Sequence, residues 1–131
     1  MEFDMAALSV RERDFVDACL ASWTGISTRA PIPVRALGYS DRDHFDHEVD
    51  RLRRAISVGG KLSEVDTARV LFLSELAFGS DLFGAGIEFR MVSTFDDTEG
   101  IAVLRALQRQ LYTKLGAHSL FNPELYAPRS D

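Results

Sequence analysis

Four times along the chain, apolar residues recur at helical spacing between polar stretches, and the cleanest of these stripes is Phe45, Val49, Leu52 and Ile56. At 100° per residue they share one face, which predicts a helix from about Asp41 to Val58, capped by Ser40 and ended by Gly59 and Gly60. Before it, Leu8, Phe15, Val16, Cys19, Leu20 and Trp23 line one side of a first helix, Leu8 to Trp23. Ser9 followed by Glu12 is a capping-box spacing there, and Gly25 stands where the helix should stop. A third helix opens at Ser63, with Asp66 in the same cap relation. Its apolar residues, Val65, Ala68, Val70 to Leu73, Leu76, Ala77 and Phe78, cover nearly the whole circumference. A helix apolar all round belongs in the middle of a bundle or against a partner subunit. Gly79 either ends it or weakens it, since Leu82 and Phe83 continue the pattern. Asp96 with Glu99 opens a fourth, with Ile101, Leu104, Leu107, Leu111 and Leu115 on its face and Gly116 beyond.

The connectors are less regular. Thr24 to Pro33 carries two prolines, and a short helical turn, Val34 to Leu37, follows and stops at Gly38. Between Gly84 and Phe95, Ile87, Phe89 and Met91 alternate with Glu88 and Arg90, as in a strand. One strand alone leaves its backbone unpaired, so residues 84–95 are read as an irregular elbow with room for a short strand. The fold class expected is all-α: a compact bundle of about four main helices, forming one domain over residues 1–116. Residues 117–131 form a tail, docked or disordered, in which Leu120, Phe121, Leu125 and Tyr126 are the residues able to dock.

Composition narrows the class without naming a function. With 46% apolar and 27% charged residues, 131 residues suffice for one globular core. A net charge of −5 argues against a broad nucleic-acid or anionic-membrane surface. Cys19 is the single cysteine, so an intrachain disulfide is excluded and a reducing compartment fits. The first residues, MEFDMAAL, lack a secretory pattern, and the apolar run Val70 to Phe83 is interrupted by Ser74, Glu75, Ser80 and Asp81. The expectation is a cytoplasmic protein with no membrane span.

The string Gly38-Tyr39-Ser40-Asp41-Arg42-Asp43-His44-Phe45 resembles the turn and recognition-helix start of the second helix-turn-helix in AraC-type regulators. The resemblance covers Val34 to Val49 and implies a small DNA-reading unit whose second helix enters the major groove. The sequence departs from that pattern in carrying Asp41, Asp43, Asp46, Glu48 and Asp50, negative charge where phosphates would lie. Nucleic acid is therefore not the partner expected first.

Three further groups are candidates for chemistry. His44 and His47 stand about one turn apart beside Asp43, Glu48 and Asp50, so a metal could bridge them with a carboxylate as third ligand. The plainer reading is a solvated helix face laced by pairs such as Arg42 with Asp46. Glu75 falls within about 40° of Leu71 on an apolar sector. Once buried, it needs a distant partner such as Arg105 or Arg109, or it stays protonated with a raised pKa, and a carboxyl of raised pKa is a candidate general base once it gives up that proton. Phe78, Leu82, Phe83, Ile87 and Phe89 are more large apolar groups than one connector needs, and such a surplus marks either core or a partner-binding patch.

The leading expectation is thus a non-enzymatic interaction or regulatory domain, working with an unknown protein partner or by self-association and requiring no cofactor. The DNA-binding regulator and a small metal-dependent or carboxylate-based enzyme are the alternatives.

Overall fold

A computed structural model describes residues 2–25 and 30–121. Six α-helices and two three-residue strands are placed among them, a mostly helical bundle as expected. β1 (Glu2–Asp4) leads through a 3₁₀ turn into α1 (Val10–Ser22), and a long connector then reaches α2 (Arg42–Ser57). β2 (Lys61–Ser63) runs directly into α3 (Glu64–Gly79). After the elbow come a 3₁₀ turn at Gly86–Glu88 and the single-turn α4 (Phe89–Val92), then α5 (Asp97–Leu111) and α6 (Lys114–Leu120).

The helix starts follow the caps. Ser9 Oγ accepts from the Glu12 amide at 3.0 Å, and Glu12 Oε1 accepts from the Ser9 amide at 2.8 Å, completing the capping box. Ser63 caps α3 through the Asp66 amide and Asp96 caps α5 through the Glu99 amide. One cap differs from the sequence reading. Asp41, not Ser40, caps α2 through the His44 amide, because the carboxylate sits on the extended residue directly before the first turn. Ser40 instead donates its amide to His44 Nδ1 at 3.0 Å.

α3 is the central element and packs against α1, α5 and α6. Its buried residues include Val70, Leu71, Leu73 and Ala77, and they meet Phe15, Val16, Cys19 and Leu20 of α1 in one core. The stripe of α2 is fully inside: Phe45, Val49, Leu52 and Ile56 are all buried. Trp23 closes the end of α1, its indole donating to the Leu73 carbonyl at 3.2 Å. Arg42 holds the connector against that end, reaching the carbonyls of Trp23 at 2.6 Å and Ala30 at 3.1 Å. Arg69 of α3 does the same for the turn at residues 34–38, donating to the Leu37 carbonyl at 3.1 Å.

Three expectations are corrected. The strand pair joins the N-terminal residues to the segment before α3 and is not in the elbow: β1 and β2 run antiparallel, with Phe3 opposite Leu62. The elbow itself turns helical, which satisfies its backbone locally where a lone strand could not. The fourth long helix stops at Leu111, because Thr113 caps a new helix by accepting from the Gly116 amide at 2.9 Å. Gly116 therefore lies inside α6, and the first residues of the expected tail, up to Leu120, are helical. Leu125 and Tyr126 lie outside the described residues, as does the side chain of Leu115. No helix among the described residues is long and apolar enough to cross a membrane.

Candidate functional site

The elbow is built from short-range bonds. Ser80 Oγ accepts from the Phe83 amide at 3.0 Å, and Asp81 Oδ1 accepts from the Ile87 amide at 3.2 Å. Gly86 has a φ of 53°, and a Cβ there would stand 2.5 Å from Asp81 Cα, so the turn requires glycine twice over. These bonds join the end of α3 to α4 over few residues.

Helical rather than extended backbone then sorts the apolar residues. Residues two apart share a face in a strand but lie about 200° apart in a helix. Phe89 is accordingly 1% exposed, while Ile87 and Met91 are 71% and 79% exposed. Phe89 joins an aromatic cluster with Phe15 and Phe78, at centroid distances of 5.6 and 5.4 Å, and Phe95 meets Phe15 at 5.1 Å. Of the five residues considered for a partner patch, Phe89 is therefore core, a correction to that reading. Phe78 and Phe83 are half-buried against the core, whereas Leu82 is 84% exposed. Beside them Ile87 and Ile101 line a shallow hollow of about 430 Å³ with Phe78, Asp81 and Asp97. Ile101, expected in the stripe of α5, instead faces outward at 41% exposure.

The other candidates fall elsewhere. His44 and His47 are both exposed on α2. His44 Nδ1 is engaged by the Ser40 amide, and its ring meets Tyr39 edge-on at 5.4 Å. No group of three or more His, Cys, Asp or Glu side chains suited to a metal occurs among the described residues. The segment resembling AraC-type regulators contains one helix, α2, preceded only by a turn at residues 34–38. The acidic side chains on α2 are partly paired, Asp46 with Arg42 at 3.2 Å and Glu48 with Arg51 at 2.8 Å. Arg51 continues to Asp66 at 2.9 Å and Arg69 to the same carboxylate at 3.2 Å, which ties α2 to α3. This hydrogen bonding from Arg51 holds the Glu48 carboxyl below its ordinary range, against a smaller opposing effect of burial.

Glu75 is half-buried and finds a partner that sequence reasoning did not name: Gln108 of α5 donates to it at 2.7 Å. Arg105 in turn donates to Gln108 Oε1 at 2.7 Å, so the expected arginine acts at one remove. All three line a cleft of about 440 Å³ between α3, α5 and α6, floored by Leu71, Phe72, Leu111 and Leu120. A second, charged groove of about 490 Å³ separates α1 from α2, where Arg53 bridges to Asp17 at 2.9 Å. Cys19 is fully buried, and burial pushes its thiol far up, with the nearby Ser74 hydroxyl drawing it back by less. It is a core residue, as its helix face suggested. No family model, curated protein or solved structure matches the chain.

Proposed function

We propose that the chain is a non-enzymatic interaction domain that offers its elbow to an apolar face of a partner protein. The observation that carries this reading is the exposure of Leu82, Ile87 and Met91 on a backbone fixed from beneath by Phe78 and Phe89. Apolar side chains on a fixed support lose little freedom when covered, and full burial of each is worth roughly 1.5–3 kcal/mol. Asp81 and Asp97 at the edge of the hollow supply the polar rim that accompanies such patches. The partner is another protein or a second copy of this chain, met in the cytoplasm, where the free thiol of Cys19 stays reduced. The acidic residues of α2 favour a protein partner over nucleic acid.

Capture from a lysate of the source cells, on immobilised wild-type chain and on the Leu82→Asp/Ile87→Asp variant, tests this reading. The expected result is a protein held in near-equal amount by the wild type and lost by the variant, with far-UV circular dichroism unchanged. A partner held equally by both chains removes the elbow from the account.

A further inference from the structure

We propose that the cleft between α3, α5 and α6 binds a small amphipathic carboxylate, its apolar body inside and its carboxylate on Arg105 and Arg109. The inference is independent of the elbow, since the two sites share no lining residue. The volume of about 440 Å³ lies within the roughly 300–1,000 Å³ typical of small-molecule sites. The interior is apolar: Ala68, Leu71 and Phe72 come from α3, Leu111 from α5, and Ala117 and Leu120 from α6. An apolar body placed there leaves water without leaving a protein polar group unpaired, which is what favours it.

Charge decides which end of a ligand meets the rim. Arg105 and Arg109 are four residues apart on α5, so both project from one side of that helix. Against these two cations stands one acid, Glu75, and its carboxylate is already engaged by Gln108. Arg105 uses one nitrogen on Gln108, and Arg109 has no partner among the described residues, so donors are left over for an incoming anion. A carboxylate accepts such donors in charge-assisted bonds, and a guanidinium matches its two oxygens. The Glu75–Gln108–Arg105 chain positions the arginine rather than touching the ligand's apolar part.

Isothermal titration of the full chain with decanoate, and with decanol as the uncharged comparator, tests the proposal. The expected result is saturable one-to-one binding of decanoate that weakens about tenfold or more in Arg105→Ser/Arg109→Ser, with decanol unaffected by that change. Ala117→Trp, which fills the cleft from an exposed position on α6, is expected to abolish binding of both with helicity retained. Absence of saturable decanoate binding overturns the proposal, and so does binding that neither the arginine pair nor Ala117→Trp alters. Decanoate binding that appears only in Leu125→Asp/Tyr126→Asp would show that residues beyond Phe121 own the cleft, and that too overturns it.

Discussion

A Cβ atom on Gly100 would stand 2.2 Å from Cε1 of Phe78, so α5 begins with its backbone pressed against that ring. Phe15 meets that ring edge-on at 5.5 Å and Phe89 at 5.4 Å, so a shift of the ring disturbs the aromatic cluster. Closeness at this point lets α5 pack on α3. The half-buried ring thereby links the core to the displayed residues of the elbow.

Gly100→Ala is therefore expected to destabilise the fold. Alanine gains up to about 1 kcal/mol of helix propensity, and the overpacking costs about 1–3 kcal/mol. A net loss of about 1–2 kcal/mol in urea unfolding is the expected outcome, partly recovered when Phe78→Leu is added. Alanine that stabilises the protein would mean the contact yields easily.

Much of this packing was legible in the sequence, and the parts that were not have physical reasons. The stripe of α2 and the caps at Ser9, Ser63 and Asp96 rest on local geometry, so residue spacing alone located them. The strand pair escaped because each strand has three residues, too few for an alternation to stand out, and its partners are nearly sixty residues apart. The break after Leu111 escaped because leucines continue at helical spacing across it, while the deciding group is the hydroxyl of Thr113. At the elbow the apolar surplus was visible but its direction was not. Ile87, Phe89 and Met91 share a face only in a strand, and the choice of backbone depends on contacts with Phe15 and Phe78 that are distant in sequence. Glu75 stood out as an acid on an apolar sector, yet its partner Gln108 is a neutral side chain on another helix, and spacing carries no sign of it.

Burial of Cys19 fixes its reactivity. A thiol pushed far above its usual range in the folded state stays protonated, so a disulfide reagent at pH 8 is expected to label it only as the protein opens. The labelling rate should rise with urea in step with loss of helicity. The sign for stability follows from the same shift. The unfolded chain loses its thiol proton near pH 8.5 while the folded one keeps it, so this group lowers stability as pH rises beyond that value. Fast labelling of the native protein would contradict the burial.

Tyr39 presents a different case. Its hydroxyl is buried with no partner among the described residues, and burial pushes its pKa up to about 12 although Arg69, over the ring at 5.0 Å, pulls the other way. Removing a polar atom that has no bond costs nothing in hydrogen bonding and relieves its desolvation, so Tyr39→Phe is expected to raise stability by about 1 kcal/mol. A loss of comparable size in thermal or urea unfolding would reveal a bond to that hydroxyl.

On the acid side, Glu48 gives a pH dependence of opposite sense. Its folded carboxyl is held below the unfolded value by Arg51, so the stability it adds is present above about pH 4.5 and is lost as pH falls through the folded value. The pair is partly exposed and screened by solvent, which limits the effect to roughly 0.2–1 kcal/mol. Glu48→Gln should remove that amount of stability above about pH 4.5 and flatten the acid side of the profile below it. An identical profile in wild type and variant would show that the pair contributes nothing.

The division of the elbow into buried and displayed residues is the claim on which its proposed role rests, and urea unfolding of Ile87→Ala, Phe89→Ala and Met91→Ala tests it directly. Phe89→Ala should lose about 3–5 kcal/mol, as deletion of a buried aromatic does, while the other two stay within about 0.5 kcal/mol of the wild type. Comparable large losses at all three positions would mean that they share one buried face, and the exposed patch would not exist.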